Sequence, residues 1–179
     1  AMVAIPKFSS ASDEARESLE DASKLAPQNP YYHNAWGSFL CERGRYTEAD
    51  RQFQLALDNP LYDRPWQAAT NAGVCALRQS DTEAAEGYLR RALSANPRVA
   101  LALQKMMEIN LERGEYAEAS RYLLRYEQNA AHTAQTLLQG MRIHLGSGEA
   151  ETAGRYRDAL QTRYPDAPET KTAQELVGK

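Results

Sequence analysis

Trp36-Gly-Ser-Phe-Leu-Cys-Glu-Arg-Gly-Arg-Tyr-Thr-Glu-Ala-Asp-Arg-Gln-Phe-Gln-Leu-Ala-Leu57 reads as a helix, a tight turn at Gly44-Arg45 and a second helix running back. Gly37 leaves room for two helices to approach closely, and Gly44 can take the left-handed conformation that ends a helix. Thr47 is the expected cap of the second helix, with Asp50 three residues on as its capping-box partner. Ala49, Phe53 and Ala56 then share one face at spacings of four and three. Such a hairpin cannot bury its apolar face alone, so it needs copies of itself.

The copies follow. Gly44 is echoed by Ser80, Gly114 and Gly148, at steps of 36, 34 and 34, and Ala49 by Ala85, Ala119 and Ala153 at the same steps. Four residues later come Phe53, Leu89, Leu123 and Arg157, and three beyond those Ala56, Ala92, Tyr126 and Leu160. Pro60, Pro97 and Pro165 close three of the units, with Ala131 in the corresponding place of the other. A helix–turn–helix unit of about 34 residues with this small–large–small–Pro series is the tetratricopeptide pattern. The fold class expected is all-α, a tetratricopeptide-repeat right-handed superhelical solenoid of antiparallel helix pairs.

The division expected along the chain is a tail or linker over 1–11 and a single solenoid over 12–179. The solenoid opens on half a repeat (12–29), in which Ala15, Leu19, Ala22 and Pro27 hold second-helix positions. Full repeats follow at about 30–60, 66–97, 100–131 and 134–165, then a capping helix at 169–177. The missing first helix implies further repeats upstream. Pro60-Leu-Tyr-Asp-Arg-Pro65 is a stiff connection, with Asp63 as a candidate cap. Met106 and Met107 replace a large–small pair and predict looser packing there.

Composition narrows the function. Lys plus Arg is 21 against 24 Asp plus Glu, a net charge of −3, so no basic excess exists to neutralise phosphates and nucleic acid is not an expected partner. No apolar run reaches the length of a membrane span. His33, His132 and His144 match no metal-ligand spacing, and no nucleophile elbow or phosphate loop is present. Carboxylates such as Glu48, Glu83, Glu118 and Glu151 fall in first turns of second helices, where they complement the helix dipole. No enzyme, metal, cofactor or small-molecule substrate is expected. Cys41 and Cys75 define no disulfide framework. Two small buried hydrophobes are the plainer reading, with a disulfide left open for an oxidising compartment.

A helical solenoid offers a concave surface lined by its first helices. The groove positions expected in this register are Tyr31, Asn34, Ser38, Cys41 and Glu42, then Gln67, Thr70, Val74, Leu77 and Arg78. The later repeats add Leu101, Gln104, Glu108, Leu111 and Glu112, then Gln135, Leu138 and Arg142. The ten singled out as the partner-binding groove are Tyr31, Asn34, Ser38, Gln67, Thr70, Val74, Arg78, Gln104, Glu108 and Arg142. Their mixture suits a partly apolar peptide or helix.

The stretch from Trp36 to Arg51, the connection Asn59-Pro-Leu-Tyr-Asp-Arg-Pro65 with Asn71-Ala-Gly-Val-Cys-Ala-Leu77, and Leu137-Leu-Gln-Gly-Met-Arg142 with Leu160-Gln-Thr-Arg-Tyr-Pro165 resemble, in this order, the type IV pilus biogenesis lipoproteins, the pilotins of the pilus secretin. The resemblance covers roughly 13–170. It implies an outer-membrane lipoprotein on the periplasmic face of a Gram-negative envelope, which binds the secretin subunit and assists its targeting and assembly. The family's lipid sits on an N-terminal cysteine and its solenoid has six repeats; neither that cysteine nor the earlier repeats stand in this sequence. Membrane contact is then expected only through that anchor. The competing reading is a cytosolic tetratricopeptide adaptor or co-chaperone. It is weakened because no lysine stands at any expected groove position to clamp a terminal carboxylate.

Overall fold

The computed structural model describes residues 28–177, so the expected tail and nearly all of the expected half repeat lie outside the described residues. Within them the chain is all-helical and has no strand. The helices are α1 (Pro30–Glu42), α2 (Tyr46–Leu57), α3 (Pro65–Arg78), α4 (Thr82–Ala95), α5 (Ala100–Glu112), α6 (Tyr116–Glu127), α7 (Ala134–Gly146), α8 (Ala150–Arg163) and α9 (Pro168–Val177).

Each antiparallel pair is joined by the same turn. Gly44, Gly114 and Gly148 have φ of +73°, +73° and +78°, and Ser80 takes the same left-handed conformation at +63°. The amide of the following residue (Arg45, Asp81, Glu115 or Glu149) donates to the carbonyl five residues back, which satisfies an orphan carbonyl at the helix end. The next helix starts at once, so its cap position falls on Arg45 and not on Thr47. Thr47 lies inside α2, which has no side-chain cap, and Asp50 instead accepts the Tyr88 hydroxyl proton. Asp63 does not cap α3 either; it accepts from the Tyr31 hydroxyl. True side-chain caps are Asn29, Asp81 and Thr133, the last in a reciprocal box with Thr136.

Close approach within a pair is set by a glycine facing a large side chain sixteen residues on. A methyl at Gly37 would stand 2.8 Å from the Phe53 ring, one at Gly73 2.8 Å from Leu89 Cγ, and one at Gly140 2.5 Å from the Tyr156 ring. Tyr156, not Arg157, is therefore the fourth repeat's counterpart of Phe53. Gly140 and Tyr156 are both displaced by one residue, so their mutual spacing survives while the expected register does not. The third repeat has Met107 at the glycine position, sixteen residues before Leu123, and both are buried in one core. The looser packing expected around Met106 and Met107 is not what the core shows, since both are fully buried. Unbranched thioether chains fill irregular space that a glycine leaves empty elsewhere.

Helices α1, α3, α5 and α7 each touch the next of their kind. Among the described residues the second helices stand farther apart and meet only through long side chains, as Tyr88 with Asp50 and Tyr156 with Glu127; each packs along its own partner and the first helix that follows. The first helices therefore line the inner side of the curve. Helix α9 packs on α7 and α8, in the place of another first helix; it buries Ala173 against Leu137, Met141 and Leu160, and the buried Thr170 donates to the Tyr164 carbonyl.

Two junctions carry buried phenols. In the connection to α3, Tyr62 packs edge-on against Tyr31 with ring centroids 5.0 Å apart, and its hydroxyl has no partner among the described residues. Between the third and fourth repeats, Tyr156 stacks on His144 and meets His132 edge-on, and its hydroxyl donates to Glu127. Burial is the leading cause that raises both phenols, Tyr62 to about 12, and it also raises Tyr88 to about 12 with help from Asp50. A folded-state pKa above the unfolded value near 10 favours the protonated fold, so stability is fully present below pH 10 and is lost as pH rises toward 12. The urea midpoint is expected to fall between pH 9 and pH 11.5, and to fall less in Tyr62→Phe. A Tyr62→Phe curve parallel to that of the parent chain would refute the assignment.

Candidate functional site: the inner face

The inner face holds two hollows. The first, about 140 Å³, lies between α1, α3 and the start of α5, and is lined by Ser38, Cys41, Glu42, Asn71, Val74, Arg78 and Leu101. Its floor is a covalent bond. Cys41 and Cys75 are joined as a disulfide, with Cα atoms 5.8 Å apart, which corrects the plainer reading of two separate buried hydrophobes. The two-residue stretch of the repeat step displaces Cys75 from strict equivalence to Cys41, and the side-by-side packing of α1 and α3 brings the two sulfurs together anyway.

Above the disulfide, Asn71 Nδ2 donates to Asn34 Oδ1 at 3.0 Å, and Ser38 Oγ donates to the Asn34 carbonyl at 3.1 Å. Leu101, 43% exposed, forms the apolar wall toward the third repeat. The second hollow, about 220 Å³, lies between α5, α7 and α9 and is lined by Glu108, Leu111, Glu112, Gln135, Leu138, Gln139, Arg142 and Glu169. Glu108 is held by Lys105 Nζ at 2.8 Å.

Of the ten groove residues, Ser38, Val74 and Arg78 meet in the first hollow and Glu108 and Arg142 in the second. Asn34 stands at the first hollow through its bond to Asn71. Tyr31 is exposed but is turned toward the Asp63 connection. Gln67 and Gln104 are half-buried and line neither hollow. Thr70 must be corrected. It is 4% exposed and donates its hydroxyl to the Trp66 carbonyl at 2.7 Å, so it packs inside α3. Among the other expected positions, Leu77 packs against the core rather than the groove. The residues missed are Asn71, Gln139 and Glu169. Asn71 and Gln139 each directly follow an expected fifth position, so a polar residue beside an apolar or β-branched one was the available signal.

The chain is 29% identical over 162 residues to the type IV pilus assembly protein PilF of Pseudomonas aeruginosa, covering 89% of this chain and 62% of PilF. Its fold superposes on the solved PilF structure with a TM-score of 0.83 at 26% identity, over 89% of this chain and 72% of that one. Against the crystal structure of PilW, a widely conserved type IV pilus biogenesis factor, the TM-score is 0.81 at 30% identity, over 94% of this chain and 77% of PilW. The chain belongs to the PilF and PilW family of type IV pilus biogenesis proteins. No family model matches it. The tetratricopeptide protein YrrB, with a TM-score of 0.72 at 18% identity, shares the fold alone. Like these relatives, the chain is built as a tetratricopeptide scaffold.

Proposed function

We propose that the chain is a non-catalytic scaffold in type IV pilus biogenesis in a Gram-negative bacterium, which binds the pilus secretin subunit on its inner face and assists its outer-membrane targeting and assembly. The observation that carries this reading is the match to PilW over 77% of its length, together with that to PilF, of which the chain spans 62%. The Cys41–Cys75 disulfide supports the periplasmic side of the envelope, where such bonds persist, and speaks against a cytosolic adaptor. Anchorage of the full-length protein by a lipid on its N-terminus completes the proposal, as does a single solenoid running through all the repeats.

The test is capture from solubilised Gram-negative envelope on the purified chain, with the secretin quantified by mass spectrometry. Exposed positions are used, because a charge at the buried Thr70 would unfold α3. The chain is expected to recover the secretin, and the double change Arg78→Glu with Leu101→Glu to cut recovery at least about tenfold, a loss of about 1.4 kcal/mol. Undiminished recovery by the double variant would overturn the inner-face site, and no secretin on the parent chain would overturn the function.

A further inference from the structure

One register position on the inner face is polar in three successive repeats, as Asn71, Lys105 and Gln139 at steps of 34. In the first two repeats its polar group is satisfied from within the chain, Asn71 by Asn34 and Lys105 by Glu108. Gln139 breaks the series. It is 5% exposed, it lines the hollow between α5, α7 and α9, and its amide oxygen has no donor among the described residues. A buried amide oxygen left unpaired costs the free energy of its desolvation, which a ligand N–H can recover.

The surrounding charge says which donor. Glu112 from α5 and Glu169 from α9 reach the hollow from two elements far apart in sequence, and neither has an ion-pair partner among the described residues. Leu111 and Leu138 supply an apolar wall for an aliphatic stem. Arg142 stands on the lining too, so the hollow presents three carboxylates against one guanidinium, with Glu108 already engaged by Lys105.

We propose that this hollow is a subsite for an arginine or lysine side chain of an extended partner segment. The cationic head sits between Glu112 and Glu169, the Gln139 side chain turns to bring its shielded amide oxygen to the head as acceptor, and the stem lies on Leu111 and Leu138. The proposal rests on the inner face being the binding surface and deepens it by naming the side chain recognised at its far end. It predicts a partner with a basic residue where its chain passes α7.

The probe is Nα-acetyl-argininamide, titrated into the isotope-labelled chain and followed by two-dimensional NMR, with Nα-acetyl-glutaminamide as the uncharged control. Shifts are expected to concentrate on the Gln139 side-chain amide and on Glu112, Leu138 and Glu169. Paired replacement Glu112→Gln and Glu169→Gln is expected to weaken the response about fivefold, and Glu83→Gln in the exposed first turn of α4 to leave it unchanged. Gln139→Leu is expected to weaken binding about threefold while leaving thermal stability equal or higher, since it removes an unpaired polar atom. Equal shifts with the uncharged control, or shifts scattered over other acidic positions, would overturn the subsite. The titration contains no secretin, so its failure is separable from failure of the capture experiment.

Discussion

Reducing the Cys41–Cys75 disulfide is expected to lower the melting temperature by about 10 °C. The bond joins residues 34 apart, and closing a loop of that length removes entropy from the unfolded chain worth roughly 3–4 kcal/mol. In a chain of this size each kcal/mol corresponds to about 2–4 °C in the melting temperature. The reduced parent is a cleaner test than alanine variants, because both cysteines are buried and their truncation would add small cavities. Thermal unfolding with and without a phosphine reductant, with released thiols counted, decides the matter. Two free thiols and an unchanged melting temperature would show that the bond constrains nothing.

Gly140→Ala is expected to cost about 2–3 kcal/mol, although replacing a helical glycine by alanine ordinarily stabilises by up to about 1 kcal/mol. The added methyl would stand 2.5 Å and 2.7 Å from two carbons of the Tyr156 ring. That ring cannot slide away, because His144 stacks on it, His132 meets it edge-on and its hydroxyl is bound to Glu127. Overpacking of this kind typically costs about 1–3 kcal/mol, and a displaced ring would also forfeit its charge-assisted hydrogen bond. Gly87→Ala is the control. Nothing lies within 4 Å of the methyl it would add on α4, so it should raise stability. Urea unfolding of both variants makes the comparison, and a Gly140→Ala protein as stable as Gly87→Ala would remove Tyr156 from the role assigned to it.

These two sites also mark where the sequence was legible. The turns were, because a left-handed residue leaves its trace as glycine at three of four places, and so were the alanines Ala49, Ala85, Ala119 and Ala153, all buried. The register of the fourth repeat was not. There the glycine and its knob moved together by one residue, so counting from the turn led to Arg157 while the packing chose Tyr156. The caps failed for a related reason, since the cap position is the residue directly after the left-handed turn, which is Arg45 in the first repeat and Asp81 in the second, and Thr47 falls inside the helix. On the inner face, spacing identified the helices but not the rotation of each about its own axis. That rotation buries Thr70 and presents Asn71 in its place. The disulfide, too, depended on how α1 and α3 lie side by side, which spacing alone does not fix.

The staple between α1 and α3 has a mechanical meaning. In a stack whose members touch only near neighbours in the chain, tension on the two ends passes in series through every junction. The bond between Cys41 and Cys75 takes the segment between them out of the load path, so that this coil cannot be paid out as slack. Yielding must begin further along, where only packed side chains and surface ion pairs resist. The solenoid is a spring with one welded turn: under strain the α1–α3 wall of the first hollow keeps its width, and no such weld holds the hollow beneath α9.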